Sequence, residues 1–193
     1  MNFFFLIPSS TIRTSTPKKI KSVIGGQERV DVFSRIMLNL CRWKDRCDAK
    51  LVVVLYLSHP EENLTFTIPL DSISSPIENE LEATEFMIHL LNSPDELGIA
   101  IEKQDFSTLL SNLASDCNFF YLTSSGEDIS QLDEDSMKSK NLCFILGSQM
   151  DLTHTQEKNL SKFNPTLISV GDREYLASHV VSIINHYLFT KFK

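Results

Sequence analysis

Three short segments, each at the end of an apolar run, have the residue types needed to bind a flat ligand. They are Leu122-Thr123, Gly147-Ser148 and Ser169-Val170-Gly171. Glycine lets a backbone approach a ligand closely and leaves its N–H and C=O groups accessible. An adenine ring needs such backbone partners and apolar walls, which Leu122, Leu176 and Val180 could provide. The residues alone leave open the alternative that these segments are only tight strand–helix connections.

The elements that must position these segments follow from apolar patterning. It predicts strands at residues 2–8, 51–57, 64–68, 99–101, 118–123, 142–146 and 167–170. The strand at 64–68 is predicted to be an edge strand, and the strand at 118–123 is predicted to stop at a turn over 124–129. Helical spacing predicts helices at about 27–43, 81–92, 106–114 and 176–189, with Asp105 capping the third.

From residue 118 onward, strands and helices alternate along the chain. This order predicts an α/β fold with a mostly parallel sheet and helices on both faces. Ligands of such sheets bind at the carboxyl ends of the strands, where the three segments are expected to lie.

Charge is distributed unevenly along the chain, whose net charge is −7. Residues 1–50 carry ten basic and four acidic side chains, a balance of +6, whereas the remainder carries eight and twenty-one, a balance of −13. Such asymmetry indicates a surface that faces a polyanion. The loop at 9–26 holds four of the basic residues and is predicted to contact phosphate. A solvated helix face and a mobile loop would give the same pattern.

The chain lacks the common motifs for dinucleotide, nucleoside triphosphate and zinc sites and for nucleophilic hydrolysis. His179 and His186 share a helix face but have no third ligand nearby, and 133–135 is interpreted as a solvated acidic turn. The four cysteines show no C-x-x-C spacing. They are interpreted as reduced thiols of a cytoplasmic protein, and we expect no metal.

The length of the chain and its first residues indicate its domain organisation. Its 193 residues predict one domain, and 1–7 is predicted to be a buried first strand rather than a signal peptide or a membrane span.

Several segments together resemble the SPOUT (α/β-knot) methyltransferases, and within them the TrmY-like tRNA pseudouridine N1-methyltransferases. The segments fall in the family's order and span most of the chain. They are residues 29–35 (RVDVFSR), 125–129 (SGEDI), 145–153 (ILGSQMDLT), 168–171 (ISVG) and 175–179 (YLASH).

The resemblance implies a single SPOUT-like domain over 1–193, with an RNA-facing part at 1–115 and a cofactor-binding part with a trefoil knot at 116–193. It implies S-adenosylmethionine bound in a bent form and a homodimer with active sites at the subunit interface. The implied cofactor-binding residues are Leu122, Gly147, Ser169, Val170, Gly171, Leu176 and Val180.

The resemblance also implies the reaction, which is N1-methylation of pseudouridine in RNA, most specifically tRNA. Arg29, Asp31 and Arg35 match the family's segment near the target base. Asp31 would orient or accept the N1 proton, while the planar forks of Arg29 and Arg35 would hold phosphate or a base carbonyl. The alternative for this trio is an ion-pair set on a helix surface.

Departures from the family leave two alternatives open. Ser148 and Gln149 stand where relatives usually carry aspartate and histidine, Asp172 where proline is common, and Val180 where cysteine is usual. The alternatives are a SPOUT methyltransferase acting on another RNA nucleoside and a non-catalytic RNA-binding protein with the knot retained.

Overall fold

The structure is a computed structural model that describes residues 1–23, 25–46, 48–59, 61–132 and 140–192. The acidic turn predicted at 133–135, and Cys47, lie outside the described residues. Within these ranges, no helix is both long and apolar enough to cross a membrane.

Seven strands form one sheet in the order β4-β3-β2-β1-β6-β5-β7. The strands are β1 (Asn2–Ser9), β2 (Lys50–Leu57), β3 (Leu64–Pro69), β4 (Ala100–Lys103), β5 (Cys117–Asp128), β6 (Asn141–Ile145) and β7 (Thr166–Ser169). β1 pairs in parallel with β2 and β6, and β5 pairs in parallel with β6 and β7. In the described part of the chain, the antiparallel pairs are those that β3 makes with β2 and with β4. The predicted mostly parallel sheet is confirmed.

Helices cover both faces of this sheet. They are α1 (Ile20–Val23), α2 (Val30–Cys41), α3 (Glu80–Asn92), α4 (Phe106–Ala114), α5 (His154–Ser161) and α6 (Ala177–Lys191). One apolar cluster joins the sheet to α2, α3 and α6, and a second joins it to α4 and α5. β1 is buried between the two because almost every side chain in it is apolar, with Phe3 and Phe5 fully buried.

Two strand predictions were wrong. β3 is not an edge strand, since Leu64–Thr67 pairs with Ala100–Lys103 of β4. β5 does not stop at Thr123, because its pairing with β7 is interrupted after Leu122 and resumes at Glu127. Both residues lie opposite Ile168, so residues 123–126 form a long bulge. The polar sequence of the bulge is typical of a turn, and only the neighbouring strand makes it part of the sheet.

The loop at 9–26 is anchored through one of its four basic residues, Lys18, which is therefore not available to phosphate, whereas Arg13, Lys19 and Lys21 are exposed. Lys18 is 5% exposed, and its Nζ lies 2.6 Å from a carboxylate oxygen of Glu28. The backbone N–H of Lys18 donates to Asn92 Oδ1 at 2.7 Å, and Asn92 Nδ2 donates to the Lys18 carbonyl at 3.0 Å. Lys18 is therefore a structural cation, and its partners come from positions that local sequence does not connect to it.

Three cysteines of the described part, Cys41, Cys117 and Cys143, are free thiols. Burial raises the pKa of Cys41 and of Cys117 to about 11. These thiols are therefore protonated at neutral pH and poorly nucleophilic. The described ranges hold no group of three His, Cys, Asp or Glu side chains that could bind a metal ion.

Candidate cofactor and RNA site

The carboxyl ends of β6, β5 and β7 lie next to one another, with β5 in the middle. Leu122 of β5 is in register with Ile168, the residue before Ser169, and Tyr121 is in register with Ile145 of β6. The structure therefore brings Gly147, the Ser169–Gly171 turn and Leu122, which lies just before the bulge within β5, to one end of the sheet. The two glycine segments lie on either side of β5 and do not directly adjoin each other.

The Ser169–Gly171 turn is closed by its own serine hydroxyl. Ser169 Oγ donates to the Gly171 carbonyl at 2.7 Å and accepts from the Gly171 N–H at 3.1 Å. Gly171 has a φ of 136°, which favours glycine because a side chain is strained there. Ser169 is buried, so its role in the structure is to shape the turn.

Gly147 permits the loop after β6 to fold back on itself. A Cβ at this position would lie 2.7 Å from the Met150 carbonyl oxygen. The next residue ties the loop to β1, because Ser148 Oγ donates to the Pro8 carbonyl at 2.9 Å. This serine, where relatives usually carry aspartate, therefore has a structural partner.

Several apolar side chains around the ends of these strands are not fully buried. Leu122, Val170 and Val180 are partly buried against the core, and Leu176 is 57% exposed. The backbone carbonyl of Leu176 begins α6 by accepting from His179 N and Val180 N. Because Ser169 Oγ already bonds both backbone groups of Gly171, the observation that fits the adenosine part of S-adenosylmethionine is the partly covered apolar surface at these strand ends.

Arg29, Asp31 and Arg35 form one ion-pair cluster at the start of α2. Arg29 Nε lies 2.9 Å from Asp31 Oδ1, and Arg35 Nη2 lies 2.7 Å from Asp31 Oδ2. Burial would raise the pKa of Asp31, but the hydrogen bond and charge of Arg29 and the charge of Arg35 outweigh it and lower the pKa. Asp31 is therefore ionised at neutral pH and is a weak proton acceptor.

Within one chain, this arginine cluster is not bonded to the strand-end segments. The contact between the two regions is made farther along α2, where Asn39 Nδ2 donates to the Ser178 carbonyl at 2.8 Å. Asp31 precedes Asn39 by eight residues, about 12 Å along a helix. No hydrogen bond or ion pair among the described residues joins Arg29, Asp31 or Arg35 to these segments. Asn39 was missed by sequence analysis, since an asparagine on a helix gives no local signal.

Arg29 has left-handed backbone dihedrals, with φ 53° and ψ 39°. An arginine in this region is strained by about 1 kcal/mol or more, and such strain is concentrated at functional sites. Replacing Arg29 with glycine should relieve this backbone strain and also remove the partly exposed ion pair of Arg29 and Asp31, whose contribution to stability is similarly small. We expect thermal stability to change little and RNA affinity to fall, which a melting curve and an RNA-binding titration would check.

A matched control for Arg29→Gly is Asn164→Gly. Asn164 is also left-handed, with φ 48°, and lies between α5 and β7. Its replacement should leave RNA affinity unchanged. Unchanged RNA affinity in Arg29→Gly as well would contradict a role for this guanidinium.

Some curated relatives match the chain over almost its full length and others over part of it. The chain is 24% identical over 198 residues to the tRNA (pseudouridine(54)-N(1))-methyltransferase of Thermococcus onnurineus, covering 95% of each protein. It is 30% identical over 117 residues to the protein of the same name from Methanosarcina acetivorans, covering 61% of this chain and 52% of the relative.

Solved structures share the fold. Nep1 of Archaeoglobus fulgidus, bound to S-adenosylhomocysteine, superposes with a TM-score of 0.61 at 10% identity, covering 99% of this chain and 96% of Nep1. The ribosomal RNA small subunit methyltransferase E of Neisseria gonorrhoeae, bound to S-adenosylmethionine, gives a TM-score of 0.53 at 10% identity, covering 98% and 66%. The expected SPOUT-like fold is confirmed, while the knot stays a prediction.

Residues 1–192 match the family described as "Putative SAM-dependent RNA methyltransferase". This match spans both the arginine cluster and the strand-end segments. The chain belongs to this family of S-adenosylmethionine-dependent RNA methyltransferases.

Proposed function

We propose that this protein methylates N1 of pseudouridine in tRNA. The observation that carries the proposal is the match over 95% of the chain to a relative named for that reaction. The basic first fifty residues and the arginine cluster at the start of α2 are compatible with an RNA substrate.

The reaction joins carbon to nitrogen and releases one proton. S-adenosylmethionine supplies an electrophilic methyl group on a sulfonium. When bound, the cofactor would give this methyl group to N1 of pseudouridine while the carbon–sulfur electron pair stays on sulfur, and the N1 proton would pass to solvent water, since Asp31 is a weak acceptor. The protein must therefore hold N1 in line and stabilise the negative charge that develops on the base.

We assign this stabilisation to the arginine cluster. Asp31 holds one guanidinium on each carboxylate oxygen, and its lowered pKa makes an orienting role better supported than a proton-accepting one. Arg29 and Arg35, each about one-third exposed, retain donors for a phosphate or a base carbonyl.

We place the cofactor at the strand-end segments, on Leu122, Gly147, Ser169–Gly171, Leu176 and Val180. The support is their common position at the edge formed by β5, β6 and β7 and the apolar surface left uncovered there. We keep the expectation of one SPOUT-like domain, with residues 1–115 facing RNA and 116–193 holding the cofactor.

We propose a cytoplasmic homodimer in which one subunit's arginine cluster completes the partner's cofactor site. The cluster is separate from the strand-end segments in a single chain, so a partner would supply what is missing. Large apolar side chains also remain exposed in and beside the segments that follow β6 and β7, a pattern typical of a binding surface. They are Met150, Leu167, Tyr175 and Leu176.

The test uses labelled S-adenosylmethionine, purified protein and an RNA stem-loop containing pseudouridine, followed by digestion to nucleosides. We expect label in N1-methylpseudouridine. Label in another nucleoside would overturn the proposed substrate but not the family. Sedimentation should give twice the 22.0 kDa chain mass, and a monomer that is fully active would contradict the shared site.

In the same assay, Asp31→Asn should lower kcat/KM by about tenfold or more, because both guanidiniums lose their charged partner. Asp45→Asn makes the same charge change at an exposed position of the basic segment and should have little effect. Equal rates in the two variants would remove Asp31 from the site.

The two alternative functions, methylation of another nucleoside and RNA binding without catalysis, are suggested by Ser148 and Gln149. A different side-chain chemistry at these positions would suit another nucleoside, which the nucleoside digest identifies directly. Calorimetric measurement of S-adenosylmethionine binding tests the non-catalytic alternative, because a protein that only binds RNA does not require the cofactor.

A further inference from the structure

A cavity of about 300 Å³ lies between the end of β1 and the loop that follows β6. Its walls include Pro8, Ser10 and the segment at 148–153, and none of the proposed cofactor residues lines it. A second cavity of about 410 Å³ shares Ser10, Ser58, Thr153 and Gln156 with it, and these two adjacent cavities are together called the groove.

The groove lies at the point where the order of the parallel strands reverses. From β1 the sheet extends to β2 on one side and to β6, β5 and β7 on the other. The chain segments that follow the two central strands run to opposite sides of the sheet. A crevice therefore opens between the carboxyl ends of these two strands. Ligands of open α/β sheets bind in this crevice.

One buried side chain presents unused donors to the groove. Gln156 is 8% exposed and lines both cavities. Its Oε1 accepts from Thr153 N at 2.8 Å, and only oxygen can accept from an N–H, so the orientation of the amide is determined. Its Nε2 has no hydrogen-bond partner among the described residues. Nε2 is not enclosed by protein: it reaches the open groove, where an acceptor on a ligand can replace water as its partner.

The charge of the groove selects the kind of ligand. Among the described residues that line the groove, none is lysine, arginine or histidine, whereas Asp105 and Asp151 are present. A phosphate would therefore be repelled, and a neutral group that both accepts and donates hydrogen bonds is favoured. The Gln149 amide and the Ser10 hydroxyl add exposed groups of both kinds.

The groove also adjoins the arginine cluster. Thr11 lines the first cavity, and its Oγ1 donates to the carbonyl of Glu28 at 2.9 Å. Glu28 immediately precedes Arg29. An RNA strand held by the arginines would therefore pass close to the opening of the groove.

We propose that this groove binds one nucleoside of the RNA substrate, turned out of its stack, with Gln156 Nε2 donating to a carbonyl oxygen of the base. The proposal rests on the proposed RNA methyltransferase function. It makes Gln156 a residue that determines substrate specificity, supported by Gln149 and Ser10. Turning a base into a pocket costs stacking energy, which fixed hydrogen-bond donors can offset.

Gln156→Glu is the decisive variant. Glutamate still accepts from Thr153 N, so the helix cap is retained, but the Nε2 donors are lost. We expect at least about tenfold weaker binding of the RNA stem-loop, with thermal stability and S-adenosylmethionine affinity unchanged. Gln156→Met, which adds no charge, should also weaken RNA binding. Lys158→Gln lowers the net charge by the same amount on the same helix, lines neither cavity, and should not reproduce the loss.

A direct readout uses the side-chain amide resonance of Gln156 in nitrogen-labelled protein. Millimolar uridine or pseudouridine should shift it, and inorganic phosphate should not. An unmoved resonance with equal RNA affinity in Gln156→Glu would overturn the groove proposal while methyl transfer to pseudouridine remained. Conversely, tenfold weaker RNA binding by Gln156→Glu, without any methyl transfer by the unmodified protein, would support the groove and overturn the proposed reaction.

Discussion

Replacing Gly126 with alanine is expected to destabilise the protein by about 3 kcal/mol or more and to abolish cofactor binding. A Cβ at this position would collide with the backbone N, Cα and C atoms of Ile168. Backbone atoms cannot move aside as the end of a flexible side chain can, so β5 and β7 would have to separate at the bulge. Because Leu122 and Ser169 are positioned by this strand pair, the proposed cofactor pocket would be lost with it.

The control for Gly126→Ala is Gly98→Ala. Gly98 has a φ of 63° with nothing within 4 Å of its added Cβ, so alanine there adds backbone strain of about 1 kcal/mol without a collision. Urea unfolding and calorimetry with S-adenosylhomocysteine measure both effects. If the two variants were equally stable and both bound the ligand, the close packing of β5 on β7 would be contradicted.

Breaking the ion pair of Lys18 and Glu28 is expected to have the second large effect on stability. The loss of stability should differ between the two single substitutions. The side chain of Lys18 is 4% exposed and that of Glu28 is 30% exposed. Glu28→Gln leaves a buried ammonium without a charged partner and should cost about 3 kcal/mol, whereas Lys18→Met leaves a carboxylate that water reaches and should cost about 2 kcal/mol. Replacing both should cost less than the sum of the single effects.

This pair also matters for the arginine cluster, because Glu28 precedes Arg29 and anchors the loop that leads to it. We therefore expect RNA affinity to fall in both single variants, while cofactor affinity is kept. Glu96→Gln, which removes the exposed partner of His89, should change neither stability nor binding measurably. An equal, small effect of all three substitutions on unfolding in urea would show that Lys18 is not held as described.

Much of the fold could be predicted because local sequence patterns determine its strands and helices. The runs at β1 and β2 are so apolar that only a strand buried on both faces suits them. The Asp105 cap was predicted from its position before an apolar helix and is confirmed, since its carboxylate accepts from Thr108 N at 2.8 Å. The family resemblance likewise rests on short segments, and the match over residues 1–192 confirms it.

The errors arose where the partner of a residue is distant in sequence. The bulge at 123–126 is part of the sheet only because Ile168 lies beside it, and β3 is interior only because β4 returns to cover it. Lys18 was assigned to a phosphate-binding loop because basic residues of a loop usually face water. Its burial depends on Glu28 and Asn92, which composition cannot pair with it.

The candidate site likewise has features that the sequence predicts and features that only the tertiary structure determines. Residue types alone made Gly147 and Gly171 candidates for a ligand site, and they left tight strand–helix connections open as the alternative. Sequence also contains the Thr-x-x-Gln pattern of a capping box at Thr153 and Gln156. Only the tertiary structure decides that capping holds the oxygen of Gln156 and leaves its donors free in a groove, because that outcome depends on how β1 and the loop after β6 meet.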